Sequence, residues 1–501
     1  MTNTQKLLKI ITGEGWILGK LPGRSEQNLS AESYGPESSE EFGKNSGLSS
    51  NRPSKETGIE VLPEYELARD LIKNEFPLLI VTGGAGTGKS TFIRWLARSF
   101  EGHVLIAAPT GIAALNVDGK TLHSMCVLPP AWILPEDIKE YKPSIARGAK
   151  LLIIDEISMV NANLLDGVSD FFKKNRNNPA PFGGLPVVLV GDLFQLPPVV
   201  NSNVRDLFAR NYKTSKFHGA NAIANCPYYA IELKKAFRQV DQEFVGLLAC
   251  IREGIDLKTS VQRLNTTCQI TQDPPEGAVW LSPRNVEVDR RNATMLARLR
   301  EPSVNYEGVL TGKYKNDRLP SPMVVALRVG AQVMFTKNGN KWVNGSIGTV
   351  LKTLPDKVHV RLLEDGEVVE VAPDVWEQFD YQFNPVTGGI ERFIAGTYSQ
   401  IPLVLAWSVT IHKSQGKTLD RVHIDLGAGA FETGQTYVAL SRCRSLERLT
   451  LSRPLTAEDV RVDVESQSFY GALRKLIEST PLEKMREHLK DGGRELARAA
   501  P

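Results

Sequence analysis

From residue 60 onward, short runs that are apolar at every position alternate with stretches of helical periodicity. LLIVTG (78–83), HVLIAAP (103–109), KLLIIDE (150–156) and PVVLVGD (186–192) each end in Gly, Pro or a carboxylate. A strand apolar on both faces belongs between two helix layers, so these runs predict a parallel sheet in an α/β domain. A second set follows in AVWLSP (278–283), LVLAWS (403–408), RVHIDL (421–426) and RLTLSR (448–453). Between its first two members the pattern turns to apolar–polar alternation with N-G, D-G and P-D turns, in GAQVMFTKNGNKWVNGSIGTVLKTLPDKVHVRLLEDGEVVEVAP. That pattern predicts a small antiparallel β-barrel inserted in the second α/β unit. Beyond about residue 465, FYGALRKLIE and LEKMREHLK carry the spacing of amphipathic helix.

These patterns divide the chain into a short N-terminal segment (1–24), a linker (25–58), a first α/β domain (59–208) and a second one in two parts (209–326 and 401–460). The barrel occupies 327–400, and a helical tail fills 461–501. The linker is rich in Ser, Glu, Asn, Gly and Pro, too polar to offset its ordering entropy by burial, so it is expected to be flexible. Composition adds mainly exclusions. With 42% hydrophobic and 23% charged residues the chain is neither fibrous nor mostly disordered. No apolar run approaches the roughly 20 residues of a membrane helix. Cys126, Cys226, Cys250, Cys268 and Cys443 form no C-x-x-C pair, which fits reduced thiols rather than a disulfide framework or a zinc site. Without a leader pattern the expected address is cytoplasmic, nucleoid-associated in a bacterium or phage, and nuclear or mitochondrial in a eukaryote. A balance of 60 basic against 57 acidic residues does not by itself point to nucleic acid.

The chemistry sits where the first strands end. GGAGTGKS (83–90) fits the P-loop pattern between a strand and the helical run TFIRWLARSF. Gly83, Gly84, Ala85, Gly86, Thr87 and Gly88 let the backbone curl so that its N–H groups meet phosphate oxygens. Lys89 reaches the terminal phosphates, and the Ser90 hydroxyl ligates Mg²⁺. These residues, with Thr91, predict ATP bound with Mg²⁺. Asp155 and Glu156 close the strand KLLII, where Asp155 serves the metal and Glu156 is the base that activates water. In GDLFQLPPV (191–199), Gln195 is placed to contact both γ-phosphate and water. Phe194 beside it is either a core side chain or a platform for a base. Arg238 and Arg442 are the two arginines in contexts that suit a finger on the γ-phosphate, although most arginines are solvated surface groups. No N-K-x-D segment supports a guanine-specific switch.

Two hydroxyl-rich loops extend the pattern. APTGIAALN (108–116) with GKTLHSM (119–125) follows a strand of the first unit, and AWSVTIHKSQGKTLD (406–420) belongs to the second. Either they are ordinary loops capped by Ser and Thr, or they grip phosphates and sugars without reading sequence. One set on each α/β unit is the arrangement a motor would use.

The ordered series GGAGTGKS, APTGIAAL, GKTLHS, LLIIDEISMV, PFGGLPVVLVGDLFQLPPV, FRQVDQEF, WSVTIHKSQGKTLD and YVALSRCRS resembles the petite-integration-frequency (PIF) family of superfamily-one DNA helicases over about residues 60–455. The resemblance implies two RecA-like P-loop NTPase motor domains with ATP between them, a small β-barrel in the second, and 5′-to-3′ movement on single-stranded DNA. It implies a helicase that unwinds duplex with a 5′ tail in repair, recombination or replication, acting as a monomer in solution. Arg238 and Arg442 match the family's γ-phosphate arginines, and Gln415 and Gly416 join the nucleotide contacts. Pro109, Thr110, Thr121, His123, Phe194, His412, Lys413 and Ser414 fall in stretches that face DNA. At the position where such helicases carry an adenine-reading Gln, this chain has Tyr65, which offers a ring to stack but no paired donor and acceptor. Two rival readings are a RecD-like helicase of phage replication or conjugation, and a nucleotide-gated binding protein that unwinds nothing.

Overall fold

The computed structural model describes residues 60–480 except 142, 201–203, 238–240, 273, 315–318, 343 and 385–388, and gives the backbone alone at 112, 115, 143, 378–384 and 389–393. The N-terminal segment, the linker and the residues after 480 therefore lie outside the described residues.

The first lobe is built on β1 (Leu78–Gly83), β2 (His103–Ala108), β3 (Lys120–Thr121), β4 (Ala149–Ile154), β5 (Val187–Gly191) and β6 (Tyr228–Leu233). They form one parallel sheet in the order β3-β2-β4-β5-β1-β6. Period-two geometry splits each strand between two cores. Leu78, Ile80, Leu152, Ile154, Val187 and Leu189 face one, while Leu79, Val81, Leu151, Ile153, Val188 and Val190 face the other. The helix Pro63–Lys73 and the helix Lys89–Ser99 cover the second face; Ala162–Arg176 covers the first. The strand β6 pairs with β1, so this sheet takes a strand from beyond residue 208, the expected end of the first domain.

In the second lobe, β7 (Gln269–Ile270) and β8 (Val279–Ser282) come first. Ten antiparallel strands follow: β9 (Val304–Glu307), β10 (Val309–Gly312), β11 (Val324–Leu327), β12 (Gln332–Phe335), β13 (Ile347–Thr353), β14 (Val358–Leu362), β15 (Val368–Val371), β16 (Asp374–Asn384), β17 (Gly389–Gln400) and β18 (Leu403–Leu405). Finally β19 (Ser408–Thr410), β20 (Val422–Ile424) and β21 (Leu449–Leu451) complete a parallel sheet, β19-β8-β20-β21-β7.

No closed barrel, the form expected of the insert, is found among its described residues. Among the described residues its strands make three open sheets, β15-β14-β13-β12-β18, β10-β17-β16 and β11-β9, and no pairing joins the edge strands of the five-stranded sheet. The insert also begins near residue 304 rather than 327. The run LVLAWS, expected to be one strand of the second parallel sheet, is divided: β18 pairs with β12 of the insert and β19 pairs with β8. At the handover the Gln332 side-chain amide donates to the carbonyls of Ala278 (3.2 Å) and Ala406 (2.9 Å), while the Gln332 main-chain carbonyl accepts the Ala406 N–H.

The C-terminal helix Val464–Ser479 is capped by Asp463, which accepts the Ser466 N–H at 2.9 Å. Although it follows the second lobe in sequence, Tyr470 and Leu473 are part of the first lobe's core. Among the described residues, no helix is long and apolar enough to cross a membrane.

Candidate nucleotide and nucleic-acid site

Between β1 and the helix Lys89–Ser99 the chain makes a tight loop with Gly86 at φ 76° and Gly88 at φ 82°. Both lie in the left-handed region that side chains disfavour. Gly83 has a steric reason as well, since a Cβ there would stand 2.6 Å from Thr87 Oγ1 and 2.8 Å from the Leu233 carbonyl. Lys89 folds back over the loop and donates from Nζ to the carbonyls of Gly83 and Gly84, both at 2.9 Å. Burial pushes its pKa down, against the pull of Asp192, Glu156 and Asp155.

Those carboxylates end the neighbouring strands. Asp155, buried after β4, has its pKa raised by burial and by Glu156, and accepts the Glu156 N–H at 2.8 Å. Glu156 itself sits at φ 49°, ψ 46°, a strained turn that throws its side chain out of the strand line. Asp192 follows β5. Burial opposes its charge, but Arg252 and Lys89, with hydrogen bonds from Tyr437 and Arg252, hold its pKa below the ordinary carboxylate value.

Groups from the second lobe close on these residues. Gln415 donates from Nε2 to Glu156 Oε2 (3.3 Å) and to Gln195 Oε1 (3.1 Å), so one amide links the expected base and the expected γ-phosphate sensor. Gln195 donates in turn to Asp192 Oδ2 at 3.4 Å. Arg442 is 1% exposed, with Nε on the Val438 carbonyl (2.9 Å) and Nη1 on the carbonyls of Ser414 (3.3 Å) and Lys417 (3.2 Å). It therefore braces the loop that carries Gln415 and Gly416. Arg238 lies outside the described residues.

The expected nucleic-acid residues divide. Thr110 follows β2 by two residues and Thr121 ends the adjacent β3; each hydroxyl accepts a cap hydrogen bond, from Ala113 N (3.3 Å) and Ser124 N (3.2 Å). With Pro109 and His123 they remain half-buried, while His412 is half-buried and Lys413 exposed just after β19. Ser414 does not fit its expected role: it is fully buried and its hydroxyl donates to the Ile411 carbonyl at 2.7 Å. Phe194 is likewise corrected. At 4% exposure it meets Tyr470 edge-on at 5.0 Å and carries the Arg252 guanidinium 4.7 Å over its ring, leaving no face for a base.

Tyr65 is a core residue rather than a base platform. It is 1% exposed, packed on Phe92 (5.1 Å) and Trp95 (5.5 Å), and its hydroxyl donates to the Gly88 carbonyl at 3.2 Å. Burial pushes its pKa up to about 12. Neither ring nor hydroxyl is left for adenine.

Sequence reasoning missed a buried cluster that supports the site. Asp192 Oδ1 accepts from Arg252 Nε at 2.9 Å, Asp192 Oδ2 accepts from Tyr437 at 2.7 Å, and Arg252 Nη1 donates to Tyr470 Oη at 3.1 Å. Asp192 and Tyr437 stood inside the motif stretches quoted for other residues, whereas Arg252 and Tyr470 carried no local signal.

Comparison with known proteins agrees with this arrangement. The profile of the PIF1-like helicase family matches residues 65–255. The chain is 33% identical to the ATP-dependent DNA helicase Pif1 of Bdellovibrio bacteriovorus over 78% of its own length and 88% of the relative's. It is 31% identical to the ATP-dependent DNA helicase PIF1 of Emericella nidulans over 82% of its own length, and spans 62% of that longer protein. Bacteroides Pif1 in complex with ADP-AlF4 superposes with a TM-score of 0.77 at 31% identity, covering 85% of this chain and 99% of that one. The same protein bound to single-stranded DNA gives a TM-score of 0.64 at 32% identity over 83% and 98%. With relatives this similar over most of both chains, and with the motifs gathered at one cleft, the chain belongs to the PIF1-like helicase family.

Proposed function

We propose that this chain is an ATP-dependent DNA helicase that moves 5′ to 3′ on single-stranded DNA and unwinds duplex from a 5′ tail, serving repair, recombination or replication as a monomer. The observation that carries the reading is the Gln415 amide from the second lobe, which touches Glu156 and Gln195 of the first at once. Hydrolysis at one end of that contact is then felt as lobe movement at the other. The relatives' names and the Bacteroides complexes with ADP-AlF4 and with single-stranded DNA support both substrates.

In this mechanism the loop amides from Gly84 to Thr91 hold the β- and γ-phosphates, and Lys89 exchanges its two carbonyl partners for phosphate oxygens. Asp155 and Ser90 are the residues that would hold Mg²⁺, and their oxygen donors suit a hard cation. Desolvation and Glu156 raise the pKa of the buried Asp155 carboxyl, and a cation there would favour its anion. When bound, Mg²⁺ would supply positive charge against the phosphates. Glu156 takes the proton of the attacking water, and Gln195 orients that water. Arg442, now on the carbonyls of residues 414 and 417, and Arg238 supply positive charge to the γ-phosphate as the lobes close. The antiparallel insert is the accessory module of the second motor domain, and Pro109, Thr110, Thr121, His123, His412 and Lys413 line the DNA track.

Strand separation tests the proposal: with ATP a partial duplex carrying a 5′ single-stranded tail is unwound, and with ADP alone it is not. The buried Tyr65 adds a second expectation. With no amide to read the base edge, GTP should be hydrolysed within about threefold of ATP at saturation, since a missing bidentate contact removes discrimination of about 1–3 kcal/mol. Steady-state hydrolysis of both nucleotides checks this, and a hundredfold preference for ATP contradicts it.

A further inference from the structure

A tyrosine of the second lobe touches the backbone of the nucleotide loop itself. Tyr437, on the helix Gln435–Leu440, is 3% exposed. Its Oη accepts the Ala85 N–H at 2.8 Å and donates to Asp192 Oδ2 at 2.7 Å. Both partners belong to the first lobe, Ala85 in the loop after β1 and Asp192 at the end of β5. The loop packs directly on the cluster: a Cβ on Gly84 would stand 3.6 Å from Tyr437 Oη and 3.9 Å from Arg252 Cδ.

The place of Ala85 gives the contact its meaning. Lys89 Nζ rests on the carbonyls of Gly83 and Gly84, immediately before Ala85. An anionic oxygen that draws this ammonium also comes within reach of the Ala85 N–H, because successive loop amides and the lysine converge on the same phosphates. The phenol and the terminal phosphate therefore compete for one donor. The helix that carries Tyr437 also leads into Arg442, whose Nε bonds the Val438 carbonyl at 2.9 Å.

We propose that Tyr437 is a positioning residue that senses the terminal phosphate. Its hydroxyl holds the Ala85 N–H when the γ-phosphate is absent and yields it to a phosphate oxygen when the triphosphate binds. The helix Gln435–Leu440 then shifts against the first lobe and brings Arg442 with it. This rests on the ATP-hydrolysis reading above and names the contact that distinguishes triphosphate from diphosphate across the lobes.

The test is Tyr437→Phe, which removes one oxygen, with single-stranded DNA affinity measured in ADP and in ADP-AlF4. The wild-type affinities should differ by about tenfold, the usual size of a two-site coupling, and in Y437F the ratio should fall toward one. Turnover should drop about tenfold while ADP affinity stays within about threefold, because the hydroxyl's bonds to the Ala85 N–H and to Asp192 Oδ2 are lost while the loop's other phosphate-binding amides and Lys89 are untouched. A Y437F protein that keeps the wild-type ratio and turnover overturns the proposal. A wild type that hydrolyses no ATP refutes the helicase reading instead. Should Y437F fail to fold, 3-fluorotyrosine placed at position 437 gives the same answer. Its fluorine resonance should move between ADP and ADP-AlF4, and an unchanged resonance overturns the role.

Discussion

Replacing Lys89 by alanine is expected to abolish DNA-stimulated ATP hydrolysis, with a loss of at least about a thousandfold, which corresponds to about 4 kcal/mol of transition-state stabilisation. The ammonium is the one cation the nucleotide loop itself provides, and it is already drawn over the loop by the carbonyls of Gly83 and Gly84. Truncation at Cβ leaves the terminal phosphates without that charge. It should leave the fold intact. Desolvation is the largest influence on this lysine and works against its charge, so removing it relieves a burial penalty. Steady-state hydrolysis with and without single-stranded DNA, beside a thermal melt, reads both expectations. Activity within tenfold of wild type would sink the assignment of the loop.

Glu156→Gln should separate binding from chemistry. The amide keeps the size of the side chain and an oxygen that can accept from Gln415 Nε2, so the contact between the lobes survives. What disappears is the proton acceptor for the attacking water, worth about 10²- to 10⁴-fold in turnover. ATP and single-stranded DNA should still bind within about threefold of wild type, because a hydrogen bond retained in kind changes affinity little. Equilibrium binding of a fluorescent nucleotide and single-turnover hydrolysis make the distinction. If nucleotide binding is lost while the fold persists, Glu156 supports the site rather than acting as its base.

Much of this was legible in the chain because the signals were local. The run LLIVTG reads as a buried strand since every position is apolar, and the structure places its alternate residues in two cores. Lys89, Asp155 and Glu156 were found because a P-loop and a strand-end carboxylate pair are written in consecutive residues. The nucleotide loop and the end of β4 set them near enough for Asp155 and Glu156 to pull on the Lys89 ammonium.

What escaped notice depends on pairing between distant residues. Arg252 is an ordinary arginine in ACIREG until the fold sets it beside Asp192, sixty residues earlier. Tyr470 reads as one apolar position of an amphipathic tail, yet it anchors that helix on the first lobe and bonds Arg252 and Glu232. Phe194 was ambiguous for the opposite reason, because an aromatic beside a polar motif looks the same in sequence whether it faces DNA or Tyr470. The division of LVLAWS between two sheets was also beyond local pattern, since the run is apolar up to Trp407 and the handover lies beside Gln332 and Asn292, both distant in sequence. Alternation in the insert correctly indicated antiparallel strands, but whether their edges close on each other is a matter of tertiary pairing that periodicity does not encode.

A near-balance of 60 basic against 57 acidic residues is compatible with DNA as a partner. On the function proposed above, a motor must release its track at every step, and the half-buried hydroxyls just after β2 and at the end of β3, with exposed Lys413 after β19, would suit weak backbone contacts better than a strongly basic surface.

The central claim, a motor that moves in one direction on single-stranded DNA, is tested most directly by ATP-dependent unwinding of two partial duplexes that differ only in carrying a 5′ or a 3′ tail. The account predicts strand separation from the 5′-tailed duplex and none from the 3′-tailed one; unwinding from the 3′ tail alone would contradict it.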